Sequence, residues 1–354
     1  MNLRYVAVAV AVLTLIALPY AINEPYYVNI ASQILLYAVF ALGLNILVGY
    51  GGLVSLGHAG LSGVAAYGVA YLLAAGYGHT VAIAGGLAAG LIVSAGFAAL
   101  SLRASGISFI MITLALGEII WGLAYRWISI TNGDNGITVN TRPEPFGLSL
   151  VSANGFYDAT LIVFLFAMAG CAVFVRSPFG AALAGTRDQP RRMNALGFHV
   201  WMIRFWAFMV SGLLSAISGV LFVYYNQFIS PQALALPASA EGLLMVISGG
   251  AGTLLGPVIG AALVVIVKNV VSGLHFTVLS PMGFVDLVKF VLNGLFQHWN
   301  FLLGAIFVAI VVFMPEGLVP GSVRLARALW RRAKRKPARP AAAAPPTSVL
   351  EQKR

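Results

Sequence analysis

Long apolar runs separated by short polar breaks fill the chain, at residues 5–22, 29–50, 53–75, 80–102, 107–128, 157–175, 205–228, 241–271 and 300–314. Crossing a bilayer core as a helix takes about 20 apolar residues. No water is available there to satisfy backbone N–H and C=O groups, so each run predicts a helix. The pattern as a whole predicts an all-α, polytopic membrane bundle of about 8–10 transmembrane helices. The first run, preceded by Arg4, predicts an uncleaved first crossing, because its exit Pro-Tyr-Ala-Ile-Asn lacks a small-x-small cleavage site.

Two apolar stretches are interrupted by glycine in comparable places of the two halves, LVGYGGLVSLGHAG at 47–60 and VISGGAGTLLGPVIGA at 246–261. Unwound backbone at membrane depth is tolerated only where protein or a cavity covers it, so paired breaks point to a transport path. The competing reading is close helix packing, since small residues let membrane helices approach. In the second half, 241–248 and 253–271 are expected to be separate passes joined at Gly-Gly-Ala-Gly. The segment 276–298 then lies along the outer surface; the alternative is that it makes an additional crossing.

Charge sharpens this picture. The chain of 354 residues is 60% hydrophobic and only 9% charged, with a mean hydropathy of +0.92, far from a soluble domain with about a quarter of its residues charged. Of the 21 Lys and Arg residues, 10 lie in the last 31 positions, so the net charge of +11 belongs largely to a tail and argues against nucleic-acid binding. Five more lie in one internal island, 176–204: Arg176, Arg187, Arg191, Arg192 and Arg204, against the single acid Asp188. By the positive-inside bias, island and tail are both cytoplasmic, which puts 129–156 outside and both termini inside. Within the island, the Ala-rich run 180–185, Pro190 and the stretch 191–196 ending at Gly197 predict two short helices meeting at a turn. A membrane-spanning region at 1–320 and a basic, largely disordered tail at 321–354 follow from this composition.

Candidate chemistry is sparse. The single Cys171 excludes a disulfide or thiolate cluster within the chain. None of the five lysines follows a glycine, so no P-loop is present, and neither H-E-x-x-H nor G-x-S-x-G occurs. The chain therefore reads as non-enzymatic, with energy supplied by a partner. Ionisable groups in spans are costly and hence functional candidates. Glu118 is the acid deep in a span, and Glu241 sits near a boundary. With Asn45, Ser55 and His58 at the first break, they form the candidate translocation pathway; for Glu118 and His58 a purely structural role stands beside it.

The stretches 41–67, 108–120, 131–139 and 175–198, the pair ISPQAL and SGGAGTLLGPVIGA, and MPEGL at 314–318 resemble, in order, the LivM-type permease subunits of ABC importers for branched-chain amino acids and related hydrophobic or amide substrates. The resemblance implies that the island docks an ATPase, with Arg187, Asp188, Arg191, Arg192, Asn194, Ala195 and Gly197 facing it. Asn194 stands where the family commonly has Glu. It also implies a LivH-type permease, two ATPase subunits that bind ATP and Mg, a periplasmic solute-binding protein, and a place in the bacterial inner membrane, with no cofactor held by this chain. Urea or short amides are the alternative substrates; a secondary carrier coupled through Glu118 is the alternative mechanism.

Overall fold

The computed structural model describes residues 13–20, 24–140, 142–143 and 150–273, with single positions 304, 308, 317, 318 and 321. The expected crossing at 300–314, the surface segment 276–298, the tail and much of the first crossing lie outside the described residues.

The described chain is overwhelmingly helical. In order come α1 (Pro25–Asn45), α2 (His58–Ala74), α3 (His79–Ser101), α4 (Ile107–Arg126), α5 (Ala153–Arg176), α6 (Pro178–Asp188), α7 (Pro190–Ala195), α8 (Val200–Asn226), α9 (Leu236–Gly249) and α10 (Gly256–Gly273). Five helical segments, α1 with the turn that extends it to Tyr50, α3, α4, α5 and α8, are long and apolar enough to cross a membrane. The expected run at 53–75 differs: its helix begins only at His58, because Gly51–Gly57 is unwound. The expected split of 241–271 is present, with α9 ending at Gly249 and α10 starting at Gly256.

Burial ranks these helices. In its most apolar window α1 is 72% buried and α8 61%, against 22% for α4. The centre is therefore α1 and α8, with α2, α3, α9 and α10 packed around them. Contact is made at small residues. Ser211 Oγ on α8 donates to the Gly43 carbonyl of α1 at 2.6 Å, Ser218 Oγ donates to Leu36 O at 2.9 Å, and Gly219 leaves no room for a side chain against the Ser62 backbone of α2. Helices that approach this closely gain dispersion contacts that lipid tails cannot match.

At the far end of α8, a two-residue antiparallel ladder pairs β1 (Ile137–Thr138) with β2 (Phe228–Ile229), in the register Ile137 to Ile229. It ties the segment after α4 to the segment after α8. Arg142 completes the tie, with Nη2 donating to Tyr225 O and Nη1 to Leu150 O, each at 3.1 Å, while its guanidinium lies 5.1 Å from the Phe156 ring. Burial lowers the Arg142 pKa below the ordinary arginine value.

Candidate functional site

The first glycine break begins as a change in hydrogen-bond period. α1 runs into a π turn, Ile46–Tyr50, closed by Gly51 N–H donating to Ile46 O at 3.0 Å. Leu53 N–H then reaches back to Leu47 O at 2.9 Å. In an α-helix that donor would have satisfied Gly49 O. The Gly49 carbonyl is thereby left open, and Arg187 Nη1, on the last turn of α6, donates to it.

Ser55 and His58 are both fully buried beside this break. His58 Nε2 lies 2.9 Å from Ser211 Oγ and Nδ1 2.8 Å from Ser55 Oγ. Since Ser211 spends its proton on Gly43 O, it must accept from Nε2–H, and Nδ1 accepts from Ser55. The imidazole is thus assigned as the neutral tautomer and acts as a strut between α2 and α8. Leu56 N–H donates to Thr113 Oγ1 at 3.2 Å, and Ala59 N–H to Ser239 Oγ at 3.0 Å.

The second break is built from backbone. Gly250 and Gly252 take φ of 116° and 81°, a region that costs glycine little. Thr253 Oγ1 donates to Gly250 O at 2.8 Å and accepts from Gly256 N–H at 3.0 Å, capping α10. Asn45, 1% exposed, joins the breaks: Nδ2 donates to Thr253 O and Oδ1 accepts from Gly252 N–H, both at 2.9 Å. A Cβ on Gly49 would collide with the Gly252 backbone, so the two breaks touch directly.

The island forms the two short helices the sequence predicts. Pro190 opens α7, where a missing N–H is harmless. Gly197, at φ 87°, closes it as a Schellman cap, with Phe198 N–H to Met193 O at 3.1 Å and Gly197 N–H to Asn194 O at 3.0 Å. Arg204 Nη2 donates to Thr186 O at 2.7 Å and anchors α6 on α8. The Arg187–Asp188 pair, at 4.0 Å and largely exposed, contributes little. No residue of α7 is buried. Arg191, Arg192, Asn194, Ala195 and Gly197 are all exposed. They stand beside a groove of about 400 Å³ lined by Gly185, Asp188, Gln189, Arg192, Met193 and Leu196. Leu196 is 64% and Phe198 46% exposed. Sequence reasoning missed these two; the signal was an apolar residue on each side of Gly197 inside a charged loop.

Glu118 is half-buried. It lies toward the side of α4 that carries exposed Ile107 and Met111, and among the described residues it has no hydrogen-bond or ion-pair partner. Glu241 lies elsewhere, on the wall of a cavity of about 670 Å³ between α1, α2, α8, α9 and α10. There it faces Lys268 of α10 at 3.2 Å. Asn226, the last residue of α8, also lines this cavity, about 40 Å along the 27-residue helix from its first residue, Val200, at the island end. Asn45, Ser55, His58 and Glu118 are not among its lining residues. Among the described residues no group of three or more His, Cys, Asp or Glu side chains could hold a metal ion.

Residues 26–312 match the family described as branched-chain amino acid transport system / permease component. The high-affinity branched-chain amino acid transport system permease protein LivM of Escherichia coli K12 is 28% identical over 338 residues, covering 88% of this chain and 74% of that protein. LivM of Salmonella typhimurium LT2 is 27% identical over 319 residues, 83% of this chain and 70% of that protein. A solved structure described as an inward-facing ABC transporter of metal-chelate type aligns with 81% of this chain and 87% of its own, at 18% identity and a TM-score of 0.44.

Proposed function

This chain belongs to the family of branched-chain amino acid transport system permease components, and on that premise we propose that it forms half of a gated path for branched-chain amino acids, driven by ATP on another chain. It is a multi-pass membrane protein and a transport subunit, and a permease of an ABC importer works with partner ATPase and permease subunits. The finer assignments are a LivH-type permease partner, two ATPases, a periplasmic binding protein delivering the solute, and an inner-membrane location with island and tail cytoplasmic.

The observation that carries the reading is the Arg187 hydrogen bond to Gly49 O. α7 supplies an exposed docking face, with Leu196 and Phe198 as apolar anchors and Arg191 and Arg192 as charges that set its orientation. α6 links that face to the first break through Arg187, and Asn45 links the first break to the second. A shift of the ATPase would then reach both breaks through a continuous chain of hydrogen bonds and packed backbone. Glu118, with no polar partner among the described residues, suits the shared surface between the two permeases, because a carboxylate left in lipid is costly.

The test compares Leu196→Glu with wild type in the assembled transporter. A charge placed in a buried anchor should cost about 3 kcal/mol, on the order of 100-fold in affinity. The variant is expected to insert and pair with the second permease, yet lose co-purifying ATPase and ATP-dependent uptake. Equal ATPase recovery with unchanged uptake would show that the island is a solvated connector. Uptake without ATP would favour a self-sufficient carrier.

A further inference from the structure

We infer that the cavity between α1, α2, α8, α9 and α10 binds a free zwitterionic aliphatic amino acid, the Glu241 carboxylate receiving its ammonium group and the Lys268 ammonium its carboxylate. The inference rests on the reading of the chain as an amino-acid permease and adds a ligand contact within the permease itself.

Volume permits it, since about 670 Å³ falls within the range of small-molecule sites. The charges argue for it. Lys268 Nζ lies 3.2 and 3.4 Å from the two Glu241 oxygens. Both residues line the cavity, and the Lys268 and Glu241 side chains keep 34% and 19% of their surface accessible. An ion pair near the membrane costs desolvation that an apolar pair of the same volume would avoid. A zwitterion accounts for that cost. When the cavity is empty, the two charges neutralise each other. When the ligand inserts, each charge exchanges its partner for the opposite group of the ligand, and no uncompensated charge appears in either state. A solute with only one charge could meet only one of the two groups and would forfeit one of the two charge-assisted contacts that the zwitterion makes.

The remaining walls fit an aliphatic side chain. Phe40, Ala66 and Phe222 supply apolar surface, while Asn226 and Gln232 supply polar groups toward the end of α8. Pro237 and Ala238, in the first turn of α9, line the same space. The positive end of a short helix that stops at a glycine break therefore opens onto the cavity and favours the ligand's carboxylate.

The structural alternative is that the pair only fastens α9 to α10, and the experiment separates the two. In nanodiscs holding this chain with its permease partner and ATPases, but no binding protein, ligand-observed saturation-transfer NMR should give a saturable leucine signal. 3-Methylbutylamine and 4-methylpentanoate each lack one charge and should need on the order of 100-fold higher concentration to displace leucine. With binding protein restored, Glu241→Gln and Lys268→Met should each lower uptake about 10- to 100-fold. The exchanged pair Glu241→Lys with Lys268→Glu should recover assembly and melting temperature but not uptake, because the charges are reversed relative to the apolar wall. Competition by either analogue equal to leucine, absence of a saturable leucine signal, or uptake restored by the exchanged pair would overturn the inference. A wild-type transporter that hydrolyses ATP but takes up no leucine would overturn the amino-acid reading itself, and this site with it.

Discussion

The two glycine breaks interrupt the bundle in comparable places but are held by opposite means. At the first, buried side chains carry the load: His58 braces Ser55 and Ser211, and Thr113 receives Leu56 N–H. At the second, the fit depends on side chains being absent. A Cβ on Gly249 would strike the Gly256 carbonyl, and one on Gly260 the Met245 carbonyl. The first break is a joint braced by side chains and close-packed at Gly49 and Gly57, whereas the second is chiefly a backbone contact with no slack. Asn45 bridges them: from the first break its side chain satisfies Gly252 N–H and Thr253 O of the second.

Substitutions at the two breaks should differ in cost. The largest effect should come from Gly260→Ala, which forces α9 and α10 apart and should lower the stability of the purified complex by about 3 kcal/mol, read as an earlier thermal melt. A melt equal to wild type would show that the second break yields easily. Asn45→Leu should cost about 2 kcal/mol by leaving Gly252 N–H and Thr253 O unpaired, and hydrogen exchange should rise at Gly252 with no change at Ala59. The smallest effect is expected from His58→Leu, about 1 kcal/mol, since Ser211 keeps Gly43 O as its acceptor and hydrogen bonds in membrane bundles average under about 1 kcal/mol. Activity surviving this loss would identify His58 as a brace, whereas abolished transport with an intact fold would return it to the pathway.

Punctuation made much of this legible in the sequence. Pro190 and Gly197 delimit α7 to within a residue, and the glycines at 249, 250 and 252 mark the end of α9, because these residue types act through local backbone geometry. The late start of α2 was not legible. Leu53, Val54 and Leu56 are as apolar as any helix, and hydropathy does not separate unwound backbone covered by protein from a span. Arg187 reads in the sequence as facing the ATPase; its bond to Gly49 O was not legible, because that acceptor lies 138 residues away. Lys268 was passed over for the same reason: its partner Glu241 is on another helix, 27 residues earlier, at no helical spacing. The β1–β2 ladder, two residues a side, is too short to leave a pattern.

The π turn at Ile46–Tyr50 also sets the phase of everything after it. It holds one residue more than the same stretch of α-helical ladder, and each residue turns a helix by about 100°. Removing one residue from this segment would let the ladder close in α register, withdrawing the Gly49 carbonyl from Arg187 and swinging Gly51–Gly57 around the axis of α1. The apolar character of the stretch would hardly change. In this part of the chain, then, the count of residues matters more than their kind: a substitution at Val48 can be absorbed, while a deletion there uncouples the island from the break.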